Sequence, residues 1–493
     1  MLSIVRALPA DKQSPQGPPT KSNPRRRKPL DPELVAQRKA QAIAEVTQIV
    51  QVRMMALFDQ TVDMDLDGID IAVHASLRDA GGAMLKSLSR ERVARIDEVP
   101  PECPNGHGPM ERETRCRELV GVSGEFTYER GYHRCRTCGA TAVPADDALG
   151  VGPGTLAPAL SRVVSMFATQ DTFGMSTRLV HEALQIELSE DEIYRTAGAL
   201  GAVAEQEMAA AAGDPQPPTD PPPSSVLLVG ADGTSTFTDG AWHEVKVGTV
   251  AALGPETRKV DPKTGREVLV TGEQRFCTLV GTADDFFPRL QALALQAGWQ
   301  HPLTHLLLFL GDGSHWIWNR TGSFVRPGLT IVEILDIIHA NQHIWDLANT
   351  VFGTGTLDAH QWAEPLTIRL KEEGPEPLLA ALQQLRPKTE EGKEALRIET
   401  EYFKSNAAAG RMDYPTFIAK HFPIASGLVE AACNSVVCHR TKGAGKRWRR
   451  RGAQSILSLR CLLLTPSRWQ AFFKGHPGLR RPPVATLRQE TVA

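Results

Sequence analysis

The sequence predicts an α+β protein with several domains, and three observations support this prediction. Amphipathic helical patterns fill residues 31–98 and 155–210, a Pro-rich segment interrupts the chain at 210–225, and strand-like apolar runs alternate with helical patterns after Val226. The 493 residues are enough for roughly two to four domains. No apolar stretch approaches the roughly 18 to 20 residues of a membrane span, and no signal peptide is evident, so we expect a cytoplasmic protein without a membrane partner.

The first hundred residues combine a basic tail with helices. Residues 1–30 are rich in Pro, Lys and Arg and have no apolar period, which is typical of a disordered tail. Asp31 followed by Pro32 is the pattern of a helix start, because Asp caps helices and Pro fits their first turn. The following pattern predicts a long amphipathic helix and a second helix at about 70–95, which together form a helical region at 31–98.

A group of cysteines distinguishes residues 99–150. Cys135 and Cys138 have the spacing of half a zinc site, and Cys103 with His107 offers the other half. Because short strand-like runs flank these turns, we expect a zinc-ribbon-like module with a structural Zn²⁺ on these four residues. Cys116 or His133 are alternative ligands, and a module without metal is the other interpretation.

The helical pattern at 155–210 contains one break. A helix ends near Gln185, and a new one begins after Ser189, which is a suitable N-cap. This order is compatible with a DNA-binding helix-turn-helix, and a plain helical hairpin fits the spacing equally well. The Pro-rich segment 210–225 then reads as a linker between domains.

Strands and helices alternate from Val226 onward. The pattern predicts three antiparallel strands, with a loop at about 254–272, then a helix, a fourth strand, a short helix, and a fifth strand at 329–340. This is the order of the ribonuclease-H-like fold, in which carboxylates at the ends of the first and fourth strands share an active site. Asp232 and Asp312 occupy those two places.

Two neighbouring aspartates repel each other unless a cation lies between them. Their oxygens suit Mg²⁺ or Mn²⁺, and two such ions can promote phosphodiester cleavage. The fold takes its third carboxylate from a later helix, where Glu430 stands in ASGLVEAACNSVV. Ser426 as N-cap and the helix dipole also explain an ordinary acid there. A helical projection predicts that one partly polar stripe carries Glu430, Asn434, Val437 or Cys438, and Thr441.

The chain from about 100 to 470 resembles the DDE transposases of bacterial insertion sequences, specifically the ISKra type, which is related to the Mutator-like group. The resemblance rests on YHRCRTCG, ADGT, GDGSHWIWN, ILDIIHAN and PIASGLVEAACNSVVCHRTKGAGKRWRRRGAQSILSLRCLLL. It implies that Asp232, Asp312 and Glu430 are the catalytic carboxylates in a domain at 226–470, with a helical insertion at about 345–422 and a flexible tail at 471–493.

The resemblance also implies further residues and partners. Asp336 and His339 in ILDIIHAN correspond to a supporting motif of the relatives; a strand end with a satisfied histidine is the alternative, and Asp336 competes with Glu430 as a metal ligand. The implied partners are double-stranded DNA, as transposon ends and target, and further copies of the chain assembled on DNA in a bacterial nucleoid. A DNA-binding regulator without catalysis, or a nuclease that cannot join strands, are the alternatives.

A basic run follows Glu430. We expect DNA contacts from its cations and from Trp448, although such runs are often only solvated faces. The residues concerned are Arg440, Lys442, Lys446, Arg447, Trp448, Arg449, Arg450 and Arg451. For Trp316 and Trp318, which follow Asp312, core packing is favoured over DNA contact.

Overall fold

The computed structural model describes residues 31–96, 100–152, 154–217, 225–254, 258–260, 267–269, 272–425 and 427–475. The expected tail 1–30, much of the Pro-rich segment, Ser426 and the last 18 residues lie outside this part of the chain. The described chain divides into two compact units. The first contains 31–119 and 123–149, and the second contains 120–122 and 150–475.

The first unit joins a helical hairpin to a small sheet. Its elements are α1 (Pro32–Gln60), α2 (Leu66–Ala94), β1 (Glu111–Gly121), β2 (Gly124–Arg134), β3 (Thr141–Ala142) and α3 (Pro144–Leu149), with strand order β1-β2-β3. Asp31 caps α1 by accepting the Glu33 amide at 3.0 Å. A Cβ on Gly82 of α2 would lie 2.2 Å from the carbonyl oxygen of Glu125, so glycine lets α2 approach β2 this closely.

The second unit begins with three helices: α4 (Pro158–Gln170), α5 (Phe173–Leu184) and α6 (Glu190–Gly213). The predicted break is present, with Gln185 in the left-handed region at φ 51° and Ser189 capping α6 through the Glu192 amide at 3.1 Å. Since these helices belong to the same compact unit as the chain after residue 225, the division between units falls near residue 150 and not at the Pro-rich segment.

A mixed five-stranded sheet forms the centre of the second unit. The strands in chain order are β4 (Val226–Thr238), β5 (Ala241–Leu253), β6 (Arg258–Val260), β7 (Glu267–Leu269), β8 (Arg275–Leu279), β9 (Leu306–Gly311) and β10 (Thr330–Leu335). The large sheet has the order β10-β9-β4-β5-β8, in which β4, β9 and β10 are parallel and β5 is antiparallel to β4 and β8. The expected loop at 254–272 contains the antiparallel pair β6–β7.

Helices cover this sheet and complete the unit. They are α7 (Ala283–Gln296), α8 (His315–Thr321), α9 (Ile337–Phe352), α10 (Leu357–Glu373), α11 (Glu376–Gln384), α12 (Glu390–Ala408), α13 (Tyr414–Ala419), α14 (Gly427–Ala432), a π-helical turn (Cys433–Cys438), α15 (His439–Thr441), α16 (Arg450–Leu463) and α17 (Pro466–Gly475). The region expected as a helical insertion is helical. The expected flexible tail at 471–493 begins as helix, because α17 buries Phe472.

The fifth strand is shorter than expected. β10 ends at Leu335, and Asp336 caps α9 by accepting the Ile338 amide at 2.7 Å. The predicted strand at 329–340 is therefore wrong beyond Leu335, because the short side chain of Asp336 starts a helix there.

The core of the second unit contains the central strands of the sheet and both tryptophans after Asp312. Trp318 is buried, and Trp316 packs edge to face on Phe286 and Phe287, so core packing is confirmed for both. Among the described helices, none combines the length and apolar character required to cross a membrane.

Candidate functional site

Three aspartates lie at the same level on three adjacent parallel strands. Asp312 and Asp336 directly follow β9 and β10, whereas Asp232 lies within β4, beyond the last residue that pairs with β9. The expected strand end at Asp232 is wrong, because β4 continues to Thr238 by pairing with β5. The last β4–β9 pair is Gly230 with Leu310, and Asp232 and Asp312 each follow two residues later. The last β9–β10 pair is Gly311 with Leu335, and Asp312 and Asp336 each come next. Equal register on parallel strands places side chains on the same face. The sheet therefore aligns Asp232, Asp312 and Asp336 in one row.

Asp232 lies at the centre of the site, and its environment disfavours negative charge. Burial is the main cause that raises the pKa of this carboxyl, and the charge of Asp312 adds to it. The thiol of Cys433 donates to Oδ2 at 3.3 Å, and the Gly233 amide donates to Oδ1 at 2.6 Å. Both hydrogen bonds and the nearby His339 oppose the rise in pKa. A cation beside Asp232 would remove the cost of its charge.

The other two aspartates are oriented by their own chain neighbours. Asp312 accepts the Ser314 amide at 2.9 Å and the Ser314 hydroxyl at 3.0 Å. Asp336 is buried, and its Oδ2 lies 3.9 Å from Nε2 of His339, one turn into α9. Asp336 therefore belongs to the row and starts α9, and His339 lies one turn further along that helix.

Helix α14 approaches the sheet at Gly230. A Cβ on Gly230 would lie 2.2 Å from Cγ2 of Val429, so only glycine admits this contact. Val429 and Cys433 are buried one turn apart, and Cys433 contacts Asp232. Glu430 is exposed, and among the described residues it has no hydrogen-bond or ion-pair partner. The structure thus brings the helix of Glu430 to Asp232 without bringing the Glu430 carboxylate into contact with it.

The helix after Glu430 does not carry the predicted polar stripe. The π-helical turn at 433–438 changes its period, so Asn434 stays exposed while Val437 and Thr441 are buried. Arg460 of α16 donates to the carbonyl oxygens of Ser435 at 3.1 Å and Val436 at 2.9 Å. The stripe prediction is wrong because it assumed an uninterrupted α-helical period.

Four ligands converge in the first unit. Cys103, His107, Cys135 and Cys138 place their ligand atoms within 4.8 Å of one another, and no other part of the described chain gathers three or more such ligands. Cys103 Sγ lies 3.5 Å from His107 Nδ1 and 3.4 Å from Cys138 Sγ. Tetrahedral zinc with bonds of roughly 2.0 to 2.3 Å requires ligand separations of about this size. The cluster can hold a metal ion such as zinc, and neither Cys116 nor His133 belongs to it.

The backbone around this cluster favours thiolates. Hydrogen bonding by the Ala140 amide and by Asn105 lowers the pKa of Cys138 to about 7, and the Cys138 amide chiefly lowers the pKa of Cys135. Burial raises the pKa of Cys103. Because zinc binds thiolates, the donated hydrogen bonds prepare two of the three sulfurs for a metal.

Part of the basic run is buried. Arg440 donates to the carbonyl oxygen of Ala168 at 2.8 Å, and its guanidinium lies 4.9 Å from the ring centre of Phe173 and 4.6 Å from that of Trp448. Burial lowers the pKa of Arg440 to about 10, and the charge of Arg460 contributes. The backbone of Trp448 also bridges to Thr238. Arg440 is buried and Trp448 is half-buried, and together they hold this segment in place.

The other residues of the basic run differ from one another in how exposed they are to solvent. Lys442 donates to the Thr234 hydroxyl at 2.7 Å, and burial lowers the pKa of Lys446. The four arginines that flank and follow Trp448 are exposed: Arg447, Arg449, Arg450 and Arg451. The last three line a cleft of about 580 Å³ together with Glu205 and Asp239. These arginines are the part of the run that can meet phosphate.

The second helix of the helix-break-helix segment, α6, begins with acidic residues. The first turn of α6 carries Glu190, Asp191 and Glu192. In a helix-turn-helix, the first residues of the second helix approach the bases, and carboxylates there repel phosphates. This composition does not favour α6 as a recognition helix.

Two residues of the site had no place in the sequence prediction. Cys433 contacts Asp232, and the Tyr402 hydroxyl donates to the carbonyl oxygen of Asp312 at 3.0 Å. The four-residue spacing of Val429 and Cys433 was a signal of one buried helix face. No signal indicated Tyr402, because α12 lies far from Asp312 in the chain. The chain matches no protein-family model and no curated protein sequence.

Proposed function

We propose that this chain is a DDE-type transposase, which cleaves the ends of a mobile DNA element and joins them to target DNA. The observation that carries the proposal is the common register of Asp232 and Asp312 on the adjacent parallel strands β4 and β9. The strand order β10-β9-β4-β5-β8, with β5 antiparallel to its neighbours, supports it, because a ribonuclease-H-like sheet has this arrangement.

The carboxylates suit divalent cations of the magnesium class. Asp232 and Asp312 would hold Mg²⁺ or Mn²⁺, since their oxygens are hard ligands. Burial, with a contribution from the charge of Asp312, raises the pKa of Asp232, and a bound cation would offset that cost. When bound, two such ions supply charge neutralisation and activation of a water or hydroxyl. Glu430 and Asp336 compete for the third place: Asp336 is aligned with the row, and Glu430 lies on the helix that contacts Asp232.

Residues of the chain itself would orient this site. Cys433 and the Gly233 amide hold the two oxygens of Asp232, and Ser314 holds those of Asp312. His339, near both Asp232 and Asp336, is placed to contact a DNA phosphate or to orient Asp336. The exposed Arg447, Arg449 and Arg451 would bind phosphates of the transposon end or the target.

The experiment supplies the protein with the DNA that flanks its gene, a target plasmid and Mg²⁺ or Mn²⁺. We expect cleavage at inverted repeats and joined products, both abolished by Asp232→Ala or Asp312→Ala while end binding persists. Glu430→Ala and Asp336→Ala, assayed in parallel, decide which residue is the third ligand. Asp284→Ala is the matched control, because Asp284 is an exposed aspartate paired with Arg320 on α8.

Other outcomes separate the alternatives. Cleavage without joining indicates a nuclease, and binding without cleavage indicates a DNA-binding regulator. Full strand transfer by Asp232→Ala would contradict the proposal.

A further inference from the structure

The hairpin of α1 and α2 exposes an unusual amount of apolar surface. Of the 25 large apolar side chains exposed in the described chain, 15 lie between Leu34 and Leu88. The two helices together contain 58 residues, of which only Leu57, Ala80 and Gly82 are buried. Helices in water derive most of their stability from burying an apolar face. Within the described part of the chain, no segment covers this apolar surface.

Nine of these exposed residues form one stripe on each helix, whereas Leu34, Val52 and Met55 on α1 and Ile71 on α2 lie outside it. On α1, Ile43, Val50, Met54 and Phe58 follow at intervals of seven, four and four residues; on α2, Leu66, Val73, Leu77, Met84 and Leu88 follow at seven, four, seven and four. At about 100° per residue each set spans roughly 60° to 80° of the helix surface. Alternating intervals of seven and four are typical of a seam that packs against other helices.

Charge is distributed unequally along the hairpin. The segment from Met54 to Leu77, which contains the turn, has five aspartates and no Lys or Arg: Asp59, Asp63, Asp65, Asp67 and Asp70. All five are exposed. From Arg78 to Arg95, at the other end of α2, five cations accompany only two acids. One end of the hairpin is thus acidic and the other is basic.

We propose that the partner is the same hairpin of a second copy, packed antiparallel to form a four-helix bundle. In that orientation the acidic turn of each copy meets the basic end of the other. In a parallel pair, the five aspartates of one turn would lie against the five aspartates of the other and repel them. In a dimer with a two-fold axis both copies contribute the same surface, so a hairpin that is complementary to itself is sufficient to form the interface. A second copy is favoured over DNA as the partner, because the acidic turn repels phosphate.

The dimensions are adequate for a stable dimer. Each helix of 29 residues is roughly 44 Å long at 1.5 Å per residue. A strip of that length and about 20 Å wide matches the roughly 800 Å² per partner of a standard interface. The proposal is independent of catalysis, since it concerns the chain without DNA.

The test measures the mass of the full-length chain in solution without DNA, by light scattering and sedimentation over a range of concentrations. We expect twice the mass of one chain. Phe58→Ser with Leu77→Ser should shift the protein to monomer. The matched control is Leu357→Ser, because Leu357 is 70 % exposed on α10 of the other unit, and this variant should remain dimeric. Helical content and zinc content verify that each variant is folded.

Charge reversal tests the antiparallel orientation. Changing four aspartates of the turn to Lys takes the segment 54–77 from −5 to +3 and makes both ends of the hairpin basic; they are Asp59, Asp63, Asp67 and Asp70. Changing Lys86, Arg90 and Arg92 to Glu takes the segment 78–95 from +3 to −3 and makes both ends acidic. Each set of changes alone should lose dimer at low salt. A chain that combines both sets should recover it, because a basic end and an acidic end face each other again.

Three results would overturn the proposal. They are a wild-type chain that is monomeric at every concentration, a dimer that Phe58→Ser with Leu77→Ser leaves intact, and a chain with both sets of charge reversals that does not recover the dimer. A wild-type chain that dimerises but does not cleave DNA would leave this proposal standing and count against the proposed function alone.

Discussion

The thiol of Cys433 donates a hydrogen bond to Oδ2 of Asp232 at 3.3 Å, and this contact joins the helix after Glu430 to the middle of β4. The two residues are 201 positions apart in the chain. A thiol is a weak donor, and here it opposes the rise in pKa that burial imposes on Asp232. The contact ties the geometry of the helix to the charge of the carboxylate.

Removing the thiol should destabilise charged Asp232. We expect Cys433→Ala to lower the free energy of unfolding at neutral pH by about 1 kcal/mol, because the acceptor is charged but a thiol is a weak donor. Cys433→Ser should retain most of the stability. Urea denaturation of the single and double variants with Asp232→Asn measures the coupling, and a coupling of zero would contradict this role.

Neutralising Asp232 should stabilise the protein in the absence of divalent cations. The folded-state pKa of Asp232 is raised above the ordinary value of 3.8. Folding therefore favours the protonated form, and the charged carboxylate costs stability once the pH exceeds the folded-state pKa. Asp232→Asn should melt at a higher temperature than wild type at pH 7, and the difference should shrink as the pH falls towards 3.8.

Divalent cations should reverse the order of the melting temperatures of wild type and Asp232→Asn. If Asp232 and Asp312 bind Mg²⁺ or Mn²⁺, either ion should raise the melting temperature of wild type and leave Asp232→Asn unchanged. An equal shift in both proteins would contradict cation binding at this carboxylate.

Adding a methyl group at Gly230 should displace α14. Its Cβ would lie 2.2 Å from Val429 Cγ2, and overpacking of this kind costs about 1 to 3 kcal/mol. The double variant with Val429→Ala should recover part of that loss. Gly198→Ala in α6 is the matched control, since no atom lies within 4 Å of its Cβ position, and it should be neutral or stabilising. Denaturant titrations compare the four proteins.

Two arginines of the basic run should respond in opposite ways. Arg440→Ala removes a buried guanidinium that packs between Phe173 and Trp448, and we expect a loss of about 3 kcal/mol in unfolding free energy. Arg449→Ala, at an exposed position, should leave stability within about 0.5 kcal/mol and weaken DNA binding. Filter binding at several salt concentrations would show a shallower salt dependence for Arg449→Ala if the contact is to phosphate.

The Cys/His cluster should bind one zinc ion per chain. Cys135→Ala should lose that ion, whereas Cys116→Ala should keep it, because Cys116 is exposed and stands outside the cluster. Metal analysis of the purified proteins gives the stoichiometry. Chelation of wild type should unfold the strands of the first unit, since structural zinc contributes folding free energy directly. Zinc retained by Cys135→Ala would show that other ligands bind it.

Local patterns in the sequence were sufficient to predict much of this protein. The caps at Asp31 and Ser189, the break at Gln185 and the ligand set of the cysteine module depend on neighbours within a few residues, where helix caps and metal turns have strict requirements. The place of Asp312 after β9 follows from an apolar run that stops at a charged residue, whereas the same pattern failed at Asp232, because β4 continues to Thr238 through its pairing with β5. The helix start at Asp336 was missed because ILDIIHA is as apolar as a strand.

The tertiary structure alone decided which predicted residues meet. A basic run has the same composition whether its side chains are solvated or packed. The sequence therefore does not show that Arg440 is buried between the aromatic rings of Phe173 and Trp448. The period of a helix does not anticipate a π-helical turn, which here is accompanied by Arg460 binding its carbonyl oxygens from α16. The register that aligns Asp232 with Asp312 and Asp336 joins strands up to 104 residues apart. Such pairing depends on hydrogen bonds between distant segments, which no local pattern in the sequence encodes.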